Sequence, residues 1–193
     1  MNYLAHAFLS GKNKNILIGN FLADAAKGHT AHYDEEIRKG IKLHRIIDHF
    51  TDGHPVVTLS KQRLHPKYHK YAGVIVDMYY DHFLAKSWPV YSNRPLEEFA
   101  ATTYELLIKN FAILPPRLKR MLPYMIAFNW LVAYSDTSNL RRFFTGLSKR
   151  TAFYSGMEHC VDDLEEHYPL FKNEFECFFP ELIKKVEKSI ELL

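Results

Sequence analysis

The chain has 193 residues, about the size of one domain, and its 47% hydrophobic and 24% charged residues exclude wholesale disorder. A net charge of +3 at pH 7 is too small to indicate nucleic-acid binding, and two cysteines can form neither a disulfide framework nor, alone, a thiolate zinc site. No signal peptide is recognisable, and Pro123 and Asn129 interrupt the longest apolar-rich stretch, residues 121–134. We therefore expect a cytoplasmic protein that binds neither nucleic acid nor a membrane.

Apolar residues recur at helical spacing through most of the chain, and no segment shows the sustained alternation of a β-strand. Gly28 stands where a C′ glycine would end a helix, and Pro95 stands where an N1 proline would begin one. The predicted helices cover residues 2–10, 15–27, 34–51, 57–64, 69–87, 96–111, 138–149, 155–168, 170–177 and 180–193. A further helix begins at residue 115, and Pro123 is expected to kink or split it. The pattern predicts one all-α domain over residues 1–193, built as a helical bundle.

The predicted helix 69–87 is apolar around almost its whole circumference, which is typical of a buried helix. It nevertheless carries Asp77 and Asp81 one turn apart, with His82 beside them. Burying an uncompensated carboxylate is costly. A bound cation would compensate this charge, as would arginines or a shared proton, whereas the alternative is that the carboxylates cap or bridge neighbouring helices. We favour a metal or catalytic role.

Helical stripes elsewhere carry similar pairs. His44 and Asp48 share a half-buried stripe at the i, i+4 spacing with which two side chains can bind one metal, although a simple His–Asp hydrogen bond is the alternative. The same spacing recurs in two earlier predicted helices, in the pairs Asn2/His6 and Asn20/Asp24. Helix bundles build metal sites from such inward-facing stripes. A His/Asp set without thiolates suits Mn, Fe, Zn or Mg.

Four segments carry most of these residues, namely 1–6 (MNYLAH), 19–24 (GNFLAD), 40–55 (GIKLHRIIDHFTDGHP) and 77–88 (DMYYDHFLAKSW). In this order they resemble the acyl carrier protein phosphodiesterase family, also called acyl carrier protein hydrolyases and placed near the HD-type phosphohydrolases. The resemblance implies an HD-like all-α fold. It also implies hydrolysis of the phosphodiester that joins 4′-phosphopantetheine to a serine of holo-acyl carrier protein, with a divalent cation, most often Mn²⁺, as cofactor.

Together, the residues and the resemblance lead us to expect a metal-assisted hydrolysis. The expected ligands of one or two cations are His44, Asp48, Asp77, Asp81 and His82, with Asp24 as a further candidate. Either Asp24 or Asp52 would take the proton of the attacking water, and His6 or His54 would protonate the departing serine oxygen. Arg45 would neutralise the phosphoryl oxygens, unless it forms a surface ion pair. The chain has no adjacent His–Asp pair in that order, which leaves the ligand assignment open.

The second half of the chain is rich in basic residues interleaved with Leu, Phe and Tyr. Such a surface could steer an acidic acyl carrier protein to the site, although an ordinary solvated face is the alternative. The basic residues are Arg117, Lys119, Arg120, Arg141, Arg142, Lys149 and Arg150. Two other functions stay open: an HD-like phosphohydrolase of a nucleotide or other small phosphodiester, and a non-enzymatic helical binding module.

Overall fold

A computed structural model describes residues 1–26 and 30–193, and the described residues are helical without any β-strand, which confirms the predicted all-α class. The predicted C′ glycine Gly28 lies outside these residues. None of the described helices is long and apolar enough to cross a bilayer. The helices are α1 (Tyr3–Leu9), α2 (Lys14–Leu22), α3 (Glu35–Gly53), α4 (Pro55–Tyr68), α5 (Ala72–Lys86), α6 (Trp88–Tyr91), α7 (Leu96–Lys109), α8 (Pro116–Ala127), α9 (Trp130–Ala133), α10 (Thr137–Ser148), α11 (Cys160–Glu166) and α12 (Tyr168–Leu192), with 3₁₀ turns at His69–Tyr71, Phe111–Ile113 and Met157–His159.

Several helix ends differ from the prediction, among them the end of α2 and the position of Pro95 at the start of α7. α2 ends at Leu22, five residues before the predicted end at 27, so Asp24 lies in the turn that follows α2 and not on a helical stripe. Pro95 is the N-cap of α7, with an extended backbone, and not its first helical residue. The fixed φ of proline suits this extended conformation as well as the first turn of a helix, and neither position needs its missing N–H. Proline is therefore compatible with both the N-cap and the first helical position.

The C-terminal helix is longer than predicted. Residues 170–177 and 180–193 were expected to form two helices, yet α12 continues through Pro180. Its buried face extends on both sides of the proline, from Phe171 and Phe175 to Leu182 and Val186. Packing of this face against the rest of the molecule holds the two halves in one helix.

One connected hydrophobic cluster forms the core of the described residues. Aromatic side chains of α5 and α12 make up much of it, with Tyr80 and Phe83 packed edge-on or tilted against the ring of Phe175. This packing positions α5 beneath the N-terminal helices, where its two aspartates meet α1.

Gly19 of α2 and Gly40 of α3 allow the two helices to cross with their backbones in contact. A Cβ added at Gly19 would lie 2.0 Å from the carbonyl oxygen of Ile37, and one added at Gly40 would lie 2.2 Å from that of Ile16. No side chain fits at either position. The close crossing brings Asn20, the residue after Gly19, into hydrogen-bonding distance of the α3 histidine described below.

Candidate active site

Two histidines and an aspartate form the centre of the candidate site. His6 comes from α1, and His44 and Asp48 lie one turn apart on α3. One ligand atom from each of these three residues lies within 4.8 Å of the other two, a geometry that could hold a metal ion. The two imidazole rings stack with their centroids 4.0 Å apart and an interplanar angle of 18°. The rings therefore present the same edge to Asp48.

Asn20 determines which nitrogen atoms face this centre. Its side-chain Nδ2 donates to the backbone carbonyl of His6 at 2.8 Å and to Ser10 Oγ at 3.0 Å, so its Oδ1 is free to accept. His6 Nδ1 donates to that Oδ1 at 2.8 Å, and His44 Nδ1 donates to the backbone carbonyl of Asn20 at 2.9 Å. Both Nδ1 atoms thus carry hydrogen, and both Nε2 atoms point towards the carboxylates.

The Nε2 atoms lie close to carboxylate oxygens. His6 Nε2 is 3.2 Å from Asp48 Oδ1, and His44 Nε2 is 3.1 Å from Asp48 Oδ2 and 3.1 Å from Asp24 Oδ1. Among the described residues, the buried His6 Nε2 has no hydrogen-bond partner in spite of this contact. A neutral imidazole here would direct a lone pair at a carboxylate oxygen, which is unfavourable unless a cation lies between them. The donor set therefore fits a divalent metal ion.

The pKa values of these groups follow from their burial and their contacts. Burial lowers the pKa of His6, so its ring is neutral at pH 7. Burial also acts to lower the pKa of His44, but hydrogen bonds with Asp24 and Asp48 raise it to about 9. Burial acts to raise the pKa of Asp48, yet the hydrogen bond from His44 holds it well below its usual range. The hydrogen bond with His44 also lowers the pKa of Asp24. Both carboxylates are therefore ionised at neutral pH and available as ligands.

Asp77 lies beside this centre but is bound to the α-ammonium group of Met1. The ammonium donates to Asp77 Oδ1 at 2.9 Å and lies 3.9 Å from Asp48 Oδ1. It is buried, and although burial acts to lower the pKa of this group, Asp77 and Asp48 raise it above its usual value. In this structure, an ammonium group therefore neutralises the carboxylate of Asp77, which was expected to bind metal.

Asp81 is completely buried under α1, and backbone amides occupy its oxygens. The carboxylate oxygens of Asp81 accept from the amides of Asn2 at 3.2 Å, Leu4 at 2.7 Å and Ala5 at 3.3 Å. Burial raises the pKa of Asp81 to about 7, and the Met1 ammonium and these three amides oppose that rise. The geometry favours the capping alternative for Asp81, because the free N–H groups of a helix start compensate a carboxylate directly.

The structure does not bring His82 or His54 into the cluster. His82 Nδ1 donates to the backbone carbonyl of Tyr134 at 2.8 Å, and its Nε2 accepts from the Tyr168 hydroxyl at 2.9 Å. His54 caps α4, where its Nδ1 accepts from a backbone amide at 3.3 Å, and its Nε2 donates to Glu181 Oε2 at 3.3 Å. Both imidazoles hold helices together.

Arg45 and Asp52 are likewise outside the cluster. Arg45 is exposed and lines a groove of about 470 Å³ with Phe50 and Lys185. Successive residues of a helix diverge by about 100°, so the side chain that follows His44 leaves the site. Asp52 is exposed at the end of α3 and accepts from Lys61 Nζ at 2.6 Å. Neither geometry supports the catalytic role expected from the sequence.

Sequence reasoning missed two features of the site. The role of Asn20 in orienting both imidazoles depends on the helix crossing, and only its spacing from Asp24 signalled that it belonged to the site. The Met1 ammonium carried no signal, because pattern analysis considers side chains and not the backbone amine.

Comparison with known proteins gives a consistent result. The family described as acyl carrier protein phosphodiesterase matches the chain over residues 1–182. Relatives named acyl carrier protein phosphodiesterase include one from Photorhabdus laumondii subsp. laumondii, 29% identical over 194 residues that cover 98% of this chain and 96% of the relative. Those from Enterobacter sp. (strain 638) and Klebsiella pneumoniae (strain 342) are 30% and 29% identical over 191 residues, covering 98% of this chain and 99% of each relative. No solved structure gives a significant match, and the HD-like relation stays a prediction.

Proposed function

Since this chain belongs to the acyl carrier protein phosphodiesterase family and is a hydrolase of the phosphodiesterase class, we propose that its substrate is holo-acyl carrier protein and that its activity depends on a divalent cation. The bond cleaved would join 4′-phosphopantetheine to a serine, giving the apo-protein and free 4′-phosphopantetheine. The observation that carries the metal dependence is the buried, unpartnered Nε2 of His6, which faces the carboxylate of Asp48. Family membership sets aside the non-enzymatic alternative.

His6, His44 and Asp48 would hold the cation, with Asp24 at the rim. Two imidazole nitrogens and carboxylate oxygens suit Mn²⁺, our first choice from the resemblance, with Mg²⁺, Fe²⁺ or Zn²⁺ as alternatives. When bound, such an ion lowers the pKa of water and stabilises negative charge on phosphoryl oxygens. Asn20 fixes the two rings in the orientation that binding requires, as outer-shell partners of metal-bound histidines commonly do.

Asp24 is the proposed proton acceptor. Its side chain is 65% exposed, in the turn after α2, while its Oδ1 contacts His44 at the buried centre. An ionised carboxylate that reaches from solvent to the centre can orient a water molecule and take its proton. His6 is reassigned from proton donor to ligand, because its Nδ1–H is donated to Asn20 and its Nε2 faces Asp48.

Mass spectrometry of holo-acyl carrier protein tests this proposal. The purified enzyme with Mn²⁺ should remove the phosphopantetheine mass, and a chelator should stop the reaction. Asp48→Asn removes a proposed ligand and should lower the rate by at least about 100-fold, the upper end of the loss seen for outer-shell partners, whereas Asp52→Asn, an exposed residue one turn further along α3, should be close to wild type.

Three results would contradict it. Undiminished turnover in chelator, or by Asp48→Asn, would exclude the metal centre. No turnover of holo-acyl carrier protein with any of the four cations would exclude the substrate, and nucleotides and small phosphodiesters would then be assayed as substrates.

A further inference from the structure

A stripe on α8 exposes two arginines followed by two aromatic rings. Leu118, Leu122 and Met125 form the buried face of α8. The opposite face carries exposed side chains at a spacing of three or four residues, which places them on one line. They are Arg117, Arg120 and Tyr124 of α8 with Phe128 at its C-cap, and we call them the α8 stripe.

The α8 stripe is basic, and no carboxylate in the described part of the chain neutralises it. Residues 110–135 contain three basic residues and no Asp or Glu. Within the described residues, no carboxylate forms an ion pair with Arg117, Lys119 or Arg120, whereas Arg141 of α10 pairs with Asp162 at 2.8 Å. Of the basic residues expected to steer an acidic partner, Arg141 is therefore neutralised, whereas those of α8 form no ion pair within the described residues, and neither do Arg142, Lys149 and Arg150.

The same region exposes an unusual amount of apolar surface. Tyr124 is 61% exposed and Phe128 is 66% exposed, and the adjoining 3₁₀ turn exposes Phe111 at 44%. Lys119 joins the two segments, since its Nζ donates to the carbonyl of Ala112 at 2.7 Å and lies 5.6 Å from the centroid of the Phe111 ring. Exposed aromatic residues beside unpaired arginines are typical of protein interfaces.

The α8 stripe begins beside the candidate active site. The Tyr33 hydroxyl donates to the carbonyl of Ile113 at 3.3 Å, which ties the 3₁₀ turn before α8 to the segment that leads into α3. Burial raises the pKa of Tyr3 of α1 to about 12, and the charges of Asp24 at the site and of Arg117 on the stripe act on it in opposite directions. A protein bound along the stripe would thus reach the rim of the site.

We infer that the α8 stripe is the docking surface for an acidic protein, the acyl carrier protein moiety of the substrate, and this inference rests on the proposed function. Arg117 and Arg120 of the stripe, with Lys119 beside them, match an acidic protein face, and the aromatic rings supply apolar contact area. A nucleic acid would require a denser array of cations. The substrate carries its phosphodiester on a protein, so a surface beside the cluster has to receive that protein.

Equilibrium binding of apo-acyl carrier protein, which has no bond to cleave, tests docking separately from catalysis. We expect Arg117→Glu/Arg120→Glu to weaken this binding about 10-fold or more, and the wild-type affinity to fall with rising salt. Lys184→Glu/Lys188→Glu, on the exposed face of α12, makes the same change in net charge and should bind like wild type. Hydrolysis of bis(p-nitrophenyl) phosphate should be equal in all three proteins.

Each outcome has a definite meaning. If the enzyme cleaves holo-acyl carrier protein but the Arg117/Arg120 variant binds the apo-protein like wild type, or if both double variants lose binding equally, docking on α8 is excluded. Tight binding without cleavage excludes the proposed function and supports docking. If the reversal variant is unfolded by circular dichroism, Arg117→Gln/Arg120→Gln should still weaken binding. Displacement of the apo-protein by single-stranded nucleic acid at stoichiometric amounts would also overturn the inference.

Discussion

Asn20 is the residue on which the geometry of both histidines depends. Replacing it with alanine removes the acceptor of His6 Nδ1–H and the donor to Ser10, while the backbone carbonyl still accepts from His44. Loss of such an outer-shell partner lowers metal affinity by about 10–100-fold. We therefore expect Asn20→Ala to bind Mn²⁺ more weakly by this factor, as measured by isothermal titration calorimetry.

The control for this variant is Asn15→Ala, an exposed residue near the start of the same helix. It should bind Mn²⁺ like wild type. Asn20→Ala leaves a buried ring nitrogen without a partner and is expected to lose about 1–3 kcal/mol of stability, so titrations belong at a temperature where circular dichroism shows it folded. Wild-type affinity in folded Asn20→Ala would show that Asn20 does not orient the rings.

The aspartates of the site show what a sequence can predict at this scale. The i, i+4 spacing of His44 and Asp48 lies within one helix, so the structure reproduces the shared stripe. The surroundings of Asp81 depend on α1, with Leu4 77 residues away in the chain. Periodicity indicated that its charge needed compensation but could not identify the backbone amides that provide it.

The crossing of α2 and α3 is the element on which the site depends most directly. A Cβ at position 40 would lie 2.2 Å from the Ile16 carbonyl and 2.8 Å from the backbone nitrogen of Asn20. Gly40→Ala should therefore separate the helices, destabilise the protein by about 3 kcal/mol and weaken the contact between Asn20 and His44. Urea denaturation would measure the loss of stability, and titration with Mn²⁺ would measure the effect of the substitution on the site.

A glycine in another helix provides a matched control, because its replacement by alanine is expected to raise the stability of the protein. Gly146 lies in α10, and a Cβ there would meet no atom within 4 Å. Gly146→Ala is expected to stabilise the protein by about 0.5–1 kcal/mol, because alanine loses less backbone entropy in a helix. A Gly40→Ala variant as stable as wild type would show that the helices can separate without cost.

Prolines inside helices explain why the lengths of the helices were harder to predict than their presence. Pro66 and Pro180 both lie inside helices of the structure. An internal proline costs about 3 kcal/mol, which favours a break when a segment is considered by itself. Burying Phe178, Phe179 or Leu182 returns about 1.5–3 kcal/mol each. Several such side chains outweigh the proline, and this tertiary contribution is not visible in a local pattern.

At the scale of the whole molecule, the candidate ligands and the aromatic part of the core come from different helices. The candidate ligands all come from the first 48 residues, while the aromatic core is built largely from α5 and α12. Asp77 and Asp81 of α5 hold the N-terminal end of α1 and so position His6 relative to the core. The four sequence segments indicated the family, and helical spacing along the chain indicated the all-α class, but this division depends on packing between distant segments.

The stability of the metal-free molecule should fall as the pH rises from about 6.5 to about 9. His44, which faces Asp24, Asp48 and His6, has a pKa of about 9 in the folded protein and an ordinary value of 6.5 when unfolded. The folded state therefore binds the proton more tightly, so this stabilisation is fully present below pH 6.5 and is lost as the pH passes 9. Denaturant unfolding in chelator at pH 6.5 and pH 9 should show a loss of up to about 3 kcal/mol.

Mn²⁺ should remove this loss of stability, because a cation at His44 Nε2 replaces the proton. The stabilisation by a fixed excess of Mn²⁺ should then be larger at pH 8 than at pH 6, since the metal competes with fewer protons at the higher pH. In His44→Gln the part of the pH dependence between pH 6.5 and pH 8 should disappear, leaving the loss above pH 8 that follows from the raised pKa of the Met1 ammonium. A pH profile unchanged by this substitution would show that the charge of His44 does not couple the site to the stability of the fold.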